Sequence, residues 1–166
     1  MNRFRLLTLA ALVTWSAPSF RGIALDARRA DRVNALFHAL HSARSAAVTR
    51  ALPVVVCKSS NGRDCTPGAK LWNEGWLVFV NRDRDSPPRV DADEPILHVE
   101  GASEHVRVAA NRDAIVYWPI SLAGTTASVI FCDERGASAA RAIIVSLSGR
   151  PRISTRDSSG KPLQCP

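Results

Sequence analysis

The chain has 166 residues, of which 46% are hydrophobic and 22% are charged, and its formal net charge is +7. This length suits one domain with appendages, and this composition excludes both a disordered protein and a polytopic membrane protein. The positive charge is concentrated near the two ends, whereas residues 81–113 have a net charge of −3, so the overall charge alone does not indicate a nucleic-acid-binding protein.

The chain begins with an apolar segment. No residue between Leu6 and Phe20 is charged, but this run is shorter than the roughly 20 residues that an upright helix needs to cross a bilayer. One interpretation is a hydrophobic membrane segment over residues 1–22 whose N-terminal part is missing. The other is a secretory signal, with Arg3 and Arg5 ahead of a short apolar region. Both interpretations place residues 25–166 outside the cytoplasm.

Residues 23–52 are predicted to form an amphipathic helical stem that Pro53 ends. The stem and the apolar segment are expected to form one helix from near residue 5 to about residue 50, bent or interrupted near Pro18. Apolar residues recur in the stem every three or four positions, at Val33, Leu36, Phe37, Leu40, Ala43, Ala47 and Val48. The other face carries five arginines, Arg28, Arg29, Arg32, Arg44 and Arg50.

After residue 53 the pattern changes to short β-type segments separated by turn residues. These segments predict a β-rich domain over residues 53–166, and the whole chain is therefore assigned to the α+β class, with a long helix packed on antiparallel strands. Eight strands are predicted, at residues 53–58, 75–81, 96–99, 105–109, 114–118, 127–133, 140–147 and 152–156.

The cysteines indicate an oxidising compartment. There are four, without a CxxC pair, which argues against a zinc ribbon or a thioredoxin-type motif. Three disulfide pairings are possible. We favour Cys57–Cys65, which would close a short polar loop, and Cys132–Cys165, which would fasten the C-terminal tail.

Several groups of polar residues could support chemistry, but a plainer explanation is favoured for each. His38 and His41 have a spacing that can hold a metal, yet no third ligand is near. No nucleophile elbow or catalytic cysteine context is present, so we predict a protein that is not an enzyme and has no cofactor or metal. An acidic surface loop explains Asp83, Asp85, Asp91, Asp93 and Glu94 better than a calcium site, and core packing explains Trp72, Trp76, Phe79 and Trp118.

The C-terminal segment carries a basic stripe. Strand alternation would place Arg150, Arg152 and Arg156, which follow Gly149, on one face, where they could bind phosphate groups without base specificity. The alternative is a solvated face of an edge strand that discourages aggregation.

Four sequence blocks, in order along the chain, resemble the GspH/FimT family of minor pseudopilins and minor type IV pilins. They are "PSFRG" (18–22), "LHSARSAAVTRALPVVVC" (40–57), "WNEGWLVFVNRDRD" (72–85) and "FCDERGASAARAIIVSLSGRPRI" (131–153). The chain departs from the family at Ala46, where an acidic residue is usual. It also lacks the prepilin leader, and the glutamate that follows the leader would fall at Met1. We interpret this as a start assigned too late or, alternatively, as a degenerate leader.

The resemblance implies a structural subunit of a type II secretion pseudopilus or of a type IV pilus tip. Its implied partners are other pilins in a filament and the bacterial inner membrane, with the β domain in the periplasm. The alternative that the resemblance implies is a minor pilin for DNA uptake that grips double-stranded DNA nonspecifically through Gly149, Arg150, Arg152 and Arg156. The helix residues expected to pack in a filament are Leu6, Leu9, Leu12, Val13, Pro18 and Phe20.

Overall fold

One long helix dominates the N-terminal third of the protein. The computed structural model describes the backbone of residues 2–68, 71–119 and 124–166, and the side chains of the same ranges from residue 20 onward. Helix α1 spans Asn2–Arg50 and runs through Pro18 without interruption. It ends where Ala51 adopts a left-handed conformation (φ 54°), two residues before Pro53. The single helix is thus confirmed, whereas the interruption near Pro18 is not present.

Eight strands follow the helix, one in each of the eight segments predicted from the sequence. They form two antiparallel sheets, with strand order β3-β2-β1-β5 in the first and β4-β6-β7-β8 in the second. The α+β fold is confirmed. The strands are β1 (Val54–Lys58), β2 (Trp76–Val80), β3 (Ile96–Glu100), β4 (Arg107–Ala110), β5 (Ala114–Tyr117), β6 (Ala127–Cys132), β7 (Arg141–Val145) and β8 (Pro151–Ser154).

Both sheets pack on the C-terminal half of α1, here called its upper half, and share one core with it. The helix contacts β1, β2 and β5 of the first sheet and β6, β7 and β8 of the second. Leu36 and Leu40 are fully buried, and the inward residues of the two sheets complete the core. The three-to-four spacing of apolar residues in the stem therefore reports the face that the β domain covers. The helix residues buried in this core are Val33, Leu36, Ala39, Leu40, Ala43 and Ala47.

Loops that the disulfides fasten cover part of the outer face of each sheet. On the first sheet, Cys57 is bonded to Cys65 in the following loop, with 5.6 Å between Cα atoms. On the second, Cys132 is bonded to Cys165 in the tail, with 6.0 Å between Cα atoms. Both favoured pairings are thus present. Because β1 and β2 are covered on both faces, all their residues are buried, which explains their lack of polar alternation.

The Gly-Trp pair at the start of β2 has a steric explanation. Gly75 has a φ of 124°, and a Cβ atom there would overlap the carbonyl oxygen of Glu100 on the neighbouring strand β3. Only glycine fits both requirements. Gly75 thereby lets the chain at the start of β2 approach the edge strand β3 closely.

The apolar segment lies mostly beyond the described side chains. Of the residues predicted to pack in a filament, Leu6, Leu9, Leu12, Val13 and Pro18 fall outside that set, and Phe20 is exposed. Within the described residues, no helical stretch is both long and apolar enough to cross a bilayer. The boundaries at residues 22 and 52 stay predictions.

Candidate functional site

An ion-pair network joins the lower stem to the end of strand β6. The side chain of Asp133 is fully buried and accepts hydrogen bonds from Arg29 of the helix (3.0 Å) and from Arg135 (2.6 Å). Both arginines also contact Asp26, at 2.6 Å and 2.8 Å. The sequence "DERG" after β6 therefore supplies the carboxylate and the guanidinium group that hold this part of the helix.

The electrostatic effect of the network is strongest at Asp133. Hydrogen bonds from the side chain and backbone of Arg135, together with the charge of Arg29, lower the pKa of Asp133 to about 2. The same contacts lower the pKa of Asp26, mainly through Arg135, and raise the pKa of Arg135. Each group is therefore held firmly in its charged form at neutral pH.

Arg32 forms a second buried attachment one turn further along the helix. Its guanidinium carbon lies 4.1 Å from the ring centre of Trp76, and its Nη1 atom donates to Glu100 at 3.0 Å. Burial lowers the pKa of Arg32, while Glu100 opposes that shift. The stacked guanidinium and the salt bridge fix the stem against strands β2 and β3.

These contacts correct the predicted position of two stem arginines. Arg29 and Arg32 were expected on the polar face of the helix, but only 6% and 5% of each residue is exposed. Their guanidinium groups bind acidic partners that are distant in the sequence, Asp133 just after β6 and Glu100 on β3, and helical periodicity cannot reveal such partners. Closer to the N-terminus of the helix, Arg21 pairs with Glu134 at 2.7 Å. Ionic contacts therefore join the stem to the β domain over residues 21–32.

The structure places Arg150 and Arg152 on the same face of the second sheet. Arg152 is paired with Ile144, and the backbone N–H of Ser146 donates to the carbonyl oxygen of Arg150, which continues the same register. Ile144 belongs to the outer cluster that the tail covers, so both arginines lie on the side of the sheet that faces away from the helix. Both are exposed.

Arg156 and Gly149 have different surroundings. Strand β8 ends at Ser154, the backbone bends at Thr155, and Arg156 donates to the carbonyl oxygen of Gly160 at 3.0 Å. Strand alternation therefore does not extend to Arg156. Gly149 is buried and has a φ of 71°, a conformation that suits the turn before Arg150. It also packs closely on Gly124: a side chain at position 124 would place its Cβ atom 3.1 Å from the Cα atom of Gly149.

The first acidic residue that follows these arginines in the sequence is bound within its own loop. Asp157 accepts hydrogen bonds from the hydroxyl group of Ser159 and the backbone N–H of Lys161, and these lower its pKa. In the described part of the chain, Arg150, Arg152 and Arg156 form no ion pair. Their positive charge is therefore available to a partner.

The remaining groups have structural roles or stand apart. Trp72, Trp76 and Phe79 are buried as predicted, whereas Trp118 is 42% exposed because it follows the last residue of β5. His41 packs edge-on against Phe37, with 4.6 Å between ring centres. In the acidic loop, Glu94 is buried and accepts from the backbone N–H groups of Arg82 and Asp91. Among the described residues, no cluster suited to a metal ion occurs.

Comparison with known proteins identifies related sequences and folds. The model of the family described as type II transport protein GspH matches residues 32–149. The type IV minor pilin FimU of Pseudomonas aeruginosa, in one crystal form, is 17% identical with a TM-score of 0.55, over 82% of this chain and 97% of that one. A second crystal form gives 16% identity and a TM-score of 0.50, over 91% and 98%. At this identity the likeness to FimU shows the fold alone. No protein of curated function matches the chain.

Proposed function

The chain belongs to the GspH family, whose model matches well over half of its length, and from this premise we propose that it is a minor subunit at the tip of a type II secretion pseudopilus or a type IV pilus. In this proposal its role is structural and not catalytic. Its helix anchors it in the inner membrane as a single span, packs among the helices of neighbouring subunits, and carries the β domain in the periplasm.

The length of α1 is the observation that carries this proposal. At 1.5 Å per residue the helix is about 74 Å long, far more than its β domain covers. The lowest described contact with the domain is made by Arg21. Residues 2–20 would extend about 28 Å further, close to the ~30 Å thickness of a bilayer core. The uncharged part of this segment, from Leu6 to Phe20, is about 22 Å long. An uncharged run at the free end of the helix supports a segment that moves from lipid into a bundle of similar helices.

We expect the lower stem to contact other pilins in the assembled filament. A photo-crosslinking amino acid at position 23, where Ile23 is 64% exposed, should form adducts with other pilin-family subunits in the native bacterium. Mass spectrometry of the adducts identifies the partner subunits, and their identity distinguishes a pilus from a secretion pseudopilus. The control is position 93, an exposed site in the acidic loop.

Two results would contradict this proposal. Adducts at position 23 that contain only proteins unrelated to pilins would exclude the filament role. Release of the full-length chain from membranes by alkaline extraction would exclude the membrane anchor and favour a cleaved signal peptide.

A second candidate function is nonspecific binding of double-stranded DNA. The observation in its favour is the exposed pair Arg150 and Arg152, which share one face of the second sheet and have no ion pair in the described structure. Guanidinium groups at neighbouring positions suit the phosphates of a duplex, which carry no base information. Arg156 can add to this surface only if it leaves its contact with Gly160.

Replacing Arg150 and Arg152 with glutamine should weaken DNA binding equally for unrelated sequences. The logarithm of the binding constant decreases linearly with the logarithm of the salt concentration. This dependence should become shallower by about 1.8, because each phosphate contact contributes about 0.9 on B-DNA. Fluorescence anisotropy of labelled duplexes, with the full-length chain in a neutral detergent and at several salt concentrations, measures both quantities.

The matched control removes two other exposed arginines, Arg63 and Arg89, which lie in the loops over the first sheet. Arg29 and Arg32 are unsuitable as controls because they hold the stem to the domain. If Arg63→Gln with Arg89→Gln flattens the salt dependence as much as the test variant does, the binding reflects net charge and not this surface.

A further inference from the structure

A cleft lies at the base of the β domain, between the lower stem and the start of strand β4. Its volume is about 490 Å³. The helix contributes Arg21, Leu25 and Arg28 to its lining, and the segment before and within β4 contributes Glu104 and Arg107. Charged side chains from two separate parts of the chain therefore meet at one opening, next to the apolar surface of Leu25.

The charges in this cleft are not all neutralised by one another. The carboxylates of Asp133 and Glu134 also line the cleft, but arginines already neutralise them. Arg29 and Arg135 bind Asp133, and Arg21 binds Glu134 at 2.7 Å, so the charge of Arg21 is compensated as well. Within the described residues, Arg28, Glu104 and Arg107 form no ion pair. Two free cations and one free carboxylate thus line the same cleft, and all three residues are exposed.

The cleft lies at a definite height along the helix. Below it are the uncharged residues that end at Phe20, and Phe20 and Ile23 expose 68% and 64% of their surface. Arg28 lies about 10 Å from Arg21 along the axis, a little beyond the ~5–8 Å depth of one headgroup layer, and its long side chain can span the difference. If residues 1–22 are in the membrane, as proposed above, the cleft opens among the lipid headgroups.

We propose that this cleft binds the phosphoethanolamine headgroup of a membrane phospholipid, an inference that rests on the proposed membrane location. Arg28 and Arg107 hold the phosphate through charge-assisted hydrogen bonds. Glu104 accepts hydrogen bonds from the ammonium group, and Leu25 lies beside the glycerol. A choline headgroup has no N–H to donate, and a glycerol headgroup has no cation for Glu104. Such a lipid would fix the height and rotation of the subunit before assembly.

Native mass spectrometry of the full-length chain, delipidated in detergent and then given lipids with identical acyl chains, tests this proposal. Phosphatidylethanolamine adducts should exceed phosphatidylcholine and phosphatidylglycerol adducts. Arg28→Gln with Arg107→Gln should reduce them by at least about tenfold, because the loss of even one hydrogen bond to a charged group has an effect of this size. Glu104→Gln should remove the preference for ethanolamine over choline while adducts persist.

Arg63→Gln with Arg89→Gln, which removes the same charge elsewhere, should leave the adducts unchanged. Circular dichroism of each variant verifies that it is folded. Free O-phosphoethanolamine should compete only weakly, since it lacks the acyl chains that keep a lipid at the cleft; equal competition would show a soluble-phosphate site and overturn the lipid proposal.

Other outcomes also overturn it. The proposal fails if the unaltered chain retains ethanolamine and choline lipids equally. It also fails if Arg28→Gln with Arg107→Gln leaves the lipid adducts unchanged. If that variant kept its lipid but lost the crosslinks formed at position 23, the cleft would be a contact between subunits. Alkaline extraction measures membrane insertion separately, so failure of the anchor and failure of the lipid site are distinguishable.

Discussion

Replacing Asp133 with alanine is expected to lower the free energy of unfolding by about 3–5 kcal/mol, the usual cost of breaking a buried ion pair. The carboxylate is fully buried, and its removal leaves the guanidinium group of Arg29 with only Asp26, which is itself largely exposed. Urea denaturation followed by circular dichroism measures the loss.

The same variant should also change the dependence of stability on pH. The folded state holds the pKa of Asp133 at about 2, below its ordinary value of 3.8, so between these values the unfolded chain binds more protons. The stabilisation is complete above about pH 4 and is lost as the pH falls towards 2, which amounts to about 2 kcal/mol. Asp133→Ala should lack this component of acid destabilisation.

Asp93→Ala is the matched control, because Asp93 also faces an arginine, Arg82, but at 3.9 Å and with both side chains mostly exposed. Such a pair contributes less than about 1 kcal/mol. Equal losses for the two aspartate variants would show that burial of Asp133 does not give the network its importance.

The elements of the fold were predictable because their signals are local. The stem repeats apolar residues at helical spacing, and each strand is a short apolar run between turn residues. The order of the strands was not predictable. Strand β1 lies between β2 and β5, and β6 lies between β4 and β7, and these pairings depend on contacts between distant parts of the chain.

The buried arginines show why the site was harder to predict than the fold. On a helix, Arg29 and Arg32 look like solvated residues, and their burial is tolerable because the carboxylates of Asp133 and Glu100, far away in the sequence, neutralise them. The cleft below them is likewise formed by side chains about 80 residues apart in the sequence, at Arg28 and Arg107. The spacing of apolar residues along a helix or a strand describes that element alone. It cannot indicate which side chains of distant elements will meet.

Removing the Cys132–Cys165 disulfide with paired alanine substitutions should lower the free energy of unfolding by about 3–4 kcal/mol. The bond closes a loop between residues that are 33 apart in the sequence and holds the tail over the outer face of the second sheet. There Leu163 is 4% exposed and packs with Ala142 and Ile144. Freeing the tail should therefore expose apolar surface as well as increase the entropy of the unfolded chain.

The Cys57–Cys65 disulfide provides the matched comparison, because its residues are only 8 apart in the sequence. Replacing both of these cysteines with alanine should lower the free energy of unfolding by about 2–3 kcal/mol, which is less than the loss expected for the disulfide that closes the longer loop. Denaturant unfolding of both double variants under non-reducing conditions gives the two values. A greater loss at Cys57–Cys65 would mean that cover of the first sheet, and not chain entropy or the tail, dominates the stability of the domain. Hydrogen exchange would then show early opening at β1 and β2, where every residue is buried.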